Sequence, residues 1–252
     1  MSEVPKYPIE SVDRALRLLA MFKDTESLSL SDVAAELEVT RSTAHRLMAM
    51  FAWYGYADQA PQSKEYVAGP ALLELSIGVA RRLRITDRAQ GLMQRVSATI
   101  DETIHLVMLN RRQVTFIDGI ESTRALRAGL RVGNRLPAHA TASGKALLAA
   151  LPDAQVADLF PDPDLTPVTP HTVATLTALR AQLATVRERG FSASEQESEP
   201  GLVAISAVLP GRTSAMNLAL SVAMPSVRAD EAAITRVGTL LRSVIDESSA
   251  ES

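Results

Sequence analysis

The sequence predicts an α+β chain in two parts: an N-terminal winged helix-turn-helix, then a linker helix and a second domain with a largely antiparallel sheet. Two patterns carry this. Residues 9–55 hold three short amphipathic helix patterns in a row, followed by a small hairpin. Beyond residue 103, apolar runs, turns and amphipathic stretches mix without the strict alternation that a parallel sheet requires. A chain of 252 residues has room for two modest cores.

The first helix is predicted over Ile9 to Phe22, with Ile9, Val12, Leu16, Leu19 and Phe22 as the stripe that closes a three-helix core. Ser29-Leu30-Ser31-Asp32 reads as a capping box opening the second helix, whose apolar face is Leu30, Val33, Ala34 and Leu37. After a break at Glu38-Val39, Thr40 caps the third. Ala44, Leu47, Met48 and Phe51 form its buried face, and Arg41, Ser42, His45, Arg46 and Ala49 the opposite one. No acid lies between Val39 and Ala57. A second helix with a polar, acid-free outer face suits a DNA major groove. The net charge of −3 does not argue against this, because phosphate affinity follows local rather than total charge.

Gly55 suits a helix C-terminus. Tyr56–Asp58 and Tyr66–Ala68 read as a hairpin wing, with Lys64 in its turn as a candidate phosphate contact. Pro70 opens the linker helix with Leu72, Leu75, Val79 and Leu83, more apolar surface than a free linker leaves in water. Thr86-Asp87 is predicted to cap the next helix, with Ala89, Leu92, Val96 and Ile100 inward. Strands follow at 104–109 and 114–120, a strand-like segment at 125–132, and a helix at 142–151. Next come a loop with prolines at 161, 163, 167 and 170, and a helix from Val173 to Arg189. The chain closes with a hairpin of 202–209 and 216–224 turning at Pro210-Gly211-Arg212, a helix over 230–245 and a polar tail from Glu247.

Cysteine is absent, which excludes disulfides and thiolate metal sites and suits a reducing cytoplasm. Four scattered histidines argue against a metal site. No apolar run approaches the ~18 residues needed to span a membrane. Ala142-Ser143-Gly144-Lys145-Ala146 contains Gly-Lys, but His139 and Ala146 stand where a P-loop needs Gly and Ser or Thr. There is no Gly-x-Ser-x-Gly and no His-Glu-x-x-His, so no catalytic residues, metal or cofactor are expected. The alternating Glu195, Glu197 and Glu199 read as a solvated acidic loop, and His139 as a packed or capping residue beside Pro137.

From Ile9 to about Ile245 the chain resembles the IclR family of bacterial transcription regulators. Five segments carry the resemblance: 11–16 (Ser-Val-Asp-Arg-Ala-Leu); 29–34 (Ser-Leu-Ser-Asp-Val-Ala) with 41–47 (Arg-Ser-Thr-Ala-His-Arg-Leu); 66–70 (Tyr-Val-Ala-Gly-Pro); 135–146, from Arg135-Leu136-Pro137 to Gly144-Lys145-Ala146; and Arg187-Glu188-Arg189-Gly190-Phe191 with Gly201 beyond. The resemblance implies a winged helix-turn-helix over 7–69, a linker helix over 70–85 and a GAF-like effector and oligomerisation domain over 86–247. It also implies a homodimer or homotetramer on a partly palindromic double-stranded DNA operator, with paired recognition helices roughly 34 Å, or a multiple of it, apart. Arg41, Ser42, Thr43, His45 and Arg46 match the recognition-helix positions. Arg46 suits a guanine edge, and Ser42 and Thr43 suit phosphate oxygens.

Effector-lining positions of the family fall here on Ala125, Ala128, Leu136, Ala142, Ser143, Ser194, Leu202, Ala204 and Ser221. Ala142 and Ser143 open a helix, where backbone N–H groups favour a carboxylate. Ser194, Ala204 and Ala223 replace an acid, a cysteine and a serine found in relatives that bind small oxoacids. These exchanges imply a larger, more apolar organic acid, aromatic or branched.

Overall fold

The computed structural model describes residues 7, 9–23, 25–83, 85–209 and 218–250. They divide into two compact units, one ending at Thr86 and one beginning at Asp87.

The first unit is built on α1 (Glu10–Met21), α2 (Leu30–Glu36) and α3 (Arg41–Trp53). Its core is Leu18, Leu28, Val33, Leu37, Ala44, Met48, Ala57 and Tyr66. The capping box is complete: Ser29 Oγ accepts from the Asp32 amide at 3.2 Å, and the Asp32 carboxylate accepts from the Ser29 amide at 3.0 Å. Those two bonds hold Asp32 below the usual carboxylate range. Glu38 turns the chain in the left-handed region, and Thr40 Oγ accepts from the Thr43 amide at 3.2 Å to start α3. At the far end Gly55 has φ 72°. Its amide donates to Ala52 O and the Tyr56 amide donates to Phe51 O, which closes the helix as a Schellman turn. β1 (Ala57–Gln59) and β2 (Tyr66–Ala68) then pair antiparallel, and Leu28 exchanges two backbone bonds with Tyr66, tying the wing to the helices.

One expectation fails in this unit. Of the α1 stripe meant to close the core, Ile9, Val12 and Leu16 are exposed, Leu16 by 62%. The core is closed instead by Leu18, with Met21 and Phe22 packed against it at the next-turn spacing. α1 therefore carries two apolar stripes and buries one. α4 (Pro70–Leu83) likewise leaves Leu73, Leu75 and Ile77 exposed.

The second unit begins with α5 (Ile85–Ile100), already helical ahead of the predicted cap at Thr86-Asp87 and burying Ala89, Leu92, Met93 and Val96. β3 (Thr103–Asn110), β4 (Gln113–Ile120), β5 (Arg135–Pro137), β6 (Ser192–Glu195), β7 (Leu202–Leu209) and β8 (Leu218–Pro225) form one six-stranded sheet. Its order is β5-β4-β3-β8-β7-β6, and every neighbouring pair is antiparallel. The expected strand at 125–132 does not form. Side chains and single bonds pin that segment: Asp101 accepts from the Thr123 amide and hydroxyl at 2.9 and 2.8 Å, Thr103 Oγ donates to Ala128 O at 2.5 Å, Arg228 donates to Leu126 O, and the Gly133 amide donates to Phe116 O.

α6 (Ala142–Ala149) is buried along its whole length, and Thr141 Oγ caps it by accepting from the Gly144 amide at 3.0 Å. A short α7 (Asp153–Leu159), not expected, precedes the proline loop. α8 (Leu176–Arg189) starts later than predicted, because Thr175 caps it. α9 (Glu231–Ala250) runs through most of the expected polar tail, where Glu247 accepts from Ser243 and pairs with Arg95 of α5. The predicted turn at Pro210–Arg212 and the start of its second strand at Met216 lie outside the described residues. Val107, Val114 and Phe116 of the sheet meet Leu148, Phe160, Leu179 and Leu183 in a buried core on the α6 side.

A Cβ on Gly144 would fall on the Ala138 backbone, which α6 touches directly. Gly144→Ala is expected to destabilise the protein by about 1–3 kcal/mol, as overpacking does, read as a lower urea midpoint with an unchanged slope.

Candidate functional site

The α3 face has the character its sequence predicts. Ala44 and Met48 are buried, while Arg41, Ser42, His45 and Arg46 are exposed together. Among the described residues neither Arg41 nor Arg46 enters an ion pair. Glu36, the acid at the end of the preceding helix, is held by Arg17 at 3.7 Å. Thr43 differs from its neighbours: it is half-buried, and its hydroxyl lies 3.0 Å from that of Thr40. Lys64 is exposed in the wing turn with φ 58°, its carbonyl accepting from Gln59.

The second unit holds a small cavity of about 20 Å³ between the sheet and the start of α6. The strand register builds it. His105, Ser221, Ser206 and Ser192 lie side by side across β3, β8, β7 and β6, and Thr103, Ala223, Ala204 and Ser194 form the next row. Cross-strand partners share a face. Ser192 donates to Ala142 O, and Ser194 Oγ donates to Ala140 O at 3.3 Å, so this face is the one that meets α6. Small Ala and Ser side chains let the helix approach and leave space unfilled beside it.

Leu136, Ala142, Ser143, Leu202, Ala204 and Ser221 line the cavity, as does Ala223. Three expected positions do not: Ala125 is exposed on the pinned segment, Ala128 is buried behind Thr103, and Ser194 is bonded back to Ala140. His105, Phe116, Arg131, Thr141 and Ser198 also line it and escaped the sequence reading. His105 is 1% exposed and its Nε2 has no partner among the described residues. Burial and then the nearby Arg131 push its pKa down to about 4, so the ring is neutral. Arg131 pairs with Glu199.

Glu197 is the second surprise. It is buried and pairs with Lys145 of α6, whose Nζ also donates to Gln182 of α8 at 3.2 Å; Glu197 Oε2 is left without a partner among the described residues. Burial lowers the Lys145 pKa, opposed by Glu197. The backbone around it is fastened too: Thr169 donates to Gln196 O at 2.7 Å and Thr172 to Glu197 O at 2.6 Å. The acidic loop is thus split, Glu197 inward and Glu199 on Arg131, with Ser198 at the cavity. His139 packs on Phe160 and bonds Thr166 O at 2.9 Å, away from the cavity lining. No group of three or more potential metal ligands occurs among the described residues.

Comparison with known proteins decides the family. Residues 11–61 match the IclR helix-turn-helix domain, and residues 77–250 match the C-terminal domain of the bacterial transcriptional regulator IclR. The chain belongs to the IclR family. It is 34% identical to the HTH-type transcriptional regulator XynR of Escherichia coli over 89% of each chain. It is 25% identical to the acetate operon repressor of Salmonella typhimurium, over 92% of this chain and 86% of that one. An IclR homolog from Microbacterium hydrocarbonoxydans, solved in complex with 4-hydroxybenzoate, superposes with a TM-score of 0.79 at 26% identity, covering 95% of this chain and 99% of that one. This IclR-family chain is accordingly a DNA-binding transcription regulator with an effector-type C-terminal domain, and no described helix is long and apolar enough to cross a membrane.

Two outcomes follow from the buried ionisable groups. Lys145→Met strands Glu197 in the interior and should cost about 3–5 kcal/mol. Adding Glu197→Leu should restore much of this in a denaturation series. For His105 the folded pKa lies below the unfolded value of about 6.5, so the unfolded chain binds the extra proton between about pH 6.5 and 4. Stability should fall with pH across that window, by up to ~1.4 kcal/mol per unit. His105→Leu should flatten that slope in urea midpoints taken from pH 7 to 5.

Proposed function

We propose that this regulator is a repressor that binds a partly palindromic operator as a dimer or dimer of dimers and responds to a small aromatic or branched carboxylic acid. The observation that carries the DNA-binding part of this reading is the exposed Arg41–Arg46 face of α3, whose arginines enter no ion pair among the described residues. Arg46 is assigned to a base edge, Arg41, Ser42 and Lys64 to phosphates, and His45 to either. Thr43 is assigned chiefly to the helix cap, its hydroxyl reaching phosphate from there. The working parts are residues 7–69 for DNA, 70–85 as linker, and 86–247 for effector and assembly. The exposed apolar residues of α1 and α4 support self-association, since such stripes on one small unit are costly in water. A cytoplasmic, non-catalytic role goes with this reading. Repression is favoured by the acetate operon repressor among the relatives.

For the effector, the cavity combines Phe116, Leu136, Leu202 and Ala204 with Arg131 and the first turn of α6. That mixture suits an acid with an apolar body, and the relative holding 4-hydroxybenzoate supports the class. Footprinting with and without benzoate and 4-hydroxybenzoate tests it: an operator affinity that no organic acid changes would leave only a dimerising role for the second domain. Arg46→Ala should weaken specific binding by about 1–3 kcal/mol and relax preference at one base position. An equal loss on all sequences in anisotropy titrations would move Arg46 to the phosphate contacts.

A further inference from the structure

A second cleft, of about 240 Å³, lies on the face of the sheet turned away from α6. Met224 of β8 belongs to its floor, while the adjacent Ala223 points the other way, into the α6 face. Thr99 and Ile100 come from the last turn of α5, and Ala233 and Val237 from α9. Beside this largely apolar floor stand three arginines from three separate elements. Arg124 belongs to the segment after β4, Arg228 to the turn Ser226–Arg228 after β8, and Arg236 to α9. One acid lines the cleft with them, Glu102.

The three cations are unequally committed. The Glu102 side chain is 6% exposed, and Arg228 Nε and Nη2 donate to its two oxygens at 2.8 Å each. Nη2 also donates to Leu126 O at 2.9 Å, so Nη1 is the part of this fork with no hydrogen bond among the described residues. The buried carboxylate thus sets the orientation of Arg228 and has little left to offer the other two. Arg124 stands 3.5 Å from Glu102 and 3.7 Å from Asp101, and its side chain makes one hydrogen bond, to Ile100 O at 3.3 Å. Asp101 is itself occupied by the amide and hydroxyl of Thr123. The exposed side chain of Arg236 enters no ion pair or hydrogen bond among the described residues. A guanidinium keeps its charge at every working pH and carries five donors. Three of them against one carboxylate leave the lining with two positive charges in excess and free donors on three sides. A carboxylate brings one charge and fills one fork. A phosphate monoester brings about −1.5 to −2 charges at neutral pH and three acceptor oxygens, one for each arginine.

We propose that this cleft binds a small phosphorylated metabolite, its phosphate held by Arg124, Nη1 of Arg228 and Arg236, and its carbon body laid on Ile100, Met224 and Val237. The volume falls below the ~300–1,000 Å³ of sites for drug-sized ligands, which sets the body at a few carbons. The site lies on the opposite face of the sheet from the cavity beside α6, and it stands or falls independently of what that cavity binds.

Calorimetry on the full chain in phosphate-free buffer tests this with glycerol 3-phosphate, inorganic phosphate, succinate and glycerol. Glycerol 3-phosphate should bind about ten-fold tighter or more than succinate, which divides two charges between two planar groups, and tighter than inorganic phosphate, which has no carbon body. Glycerol should not bind. Arg236→Gln and Arg124→Gln should each weaken glycerol 3-phosphate by about ten-fold or more. Arg180→Gln, at an exposed arginine of α8 that does not line the cleft, should leave it unchanged. Thermal melts confirm that each variant is folded. A random-sequence DNA duplex should bind Arg236→Gln and Arg124→Gln as it binds the parent in anisotropy titrations; a loss there would overturn the metabolite and make the cleft a DNA contact. Succinate binding as tightly as glycerol 3-phosphate would overturn the choice of phosphate. Unchanged affinity in both cleft variants, or no binding of either phosphate, would overturn the site.

Discussion

The ion pair between Lys145 and Glu197 ties three elements of the second unit together. Both side chains are nearly out of water, where neither charge is tolerable alone. Lys145 rises from a helix that is itself buried from end to end, and its ammonium also reaches Gln182, so α6, α8 and the loop after β6 meet at one nitrogen. A buried pair of this kind repays its desolvation poorly compared with apolar packing. What it supplies is position. With Glu197 held, Ser198 must face the cavity and Glu199 must fall at its rim beside Arg131.

The cavity itself follows from side-chain size. The sheet face under α6 is composed of Ser192, Ser194, Ala204, Ser206, Ser221 and Ala223 in two cross-strand rows. Larger residues there would hold the helix away from the sheet. With small ones the helix comes close, its cap is satisfied by Thr141, and the remaining gap is lined by hydroxyls, methyls, one imidazole and the side chains of Phe116, Arg131, Leu136 and Leu202. Alternation puts His105 on this face and Ile104 and Leu106 on the other.

Local chemistry made the first unit readable in advance. The Ser29–Asp32 box, the Thr40 cap and the Gly55 terminus are each decided within a few residues, and each is present. What escaped depended on distant partners. α1 has two apolar stripes, and only the tertiary core chooses Leu18 over Leu16. The segment from 125 to 132 reads as a strand, but Thr103 and Arg228 bond its carbonyls in place of a strand ladder. Glu197 looks solvated in a row of alternating acids until Lys145, 52 residues earlier, is brought against it. His105 lay in an apolar run read only as a strand. Its alternation with the flanking aliphatics was the available sign, but which face met a helix was not written locally.

An effector changes operator affinity only by binding one state of the protein better than the other. The two sides of the cavity differ in what they can contribute. The Glu197 side is anchored by a buried pair and by Thr169 and Thr172, so it acts as a fixed wall. The Arg131 side belongs to the segment that has no strand ladder, held by bonds to Asp101, the residue directly after α5, and to Thr103 at the head of β3. Under the proposed effector reading, a ligand bound beside Arg131 would act on the junction of α5 with the sheet rather than on the anchored wall. α5 is the helix through which the chain enters this unit from α4. Arg131 thus lies in a segment fastened to the same stretch of chain that leads back through α5 and α4 to the first unit.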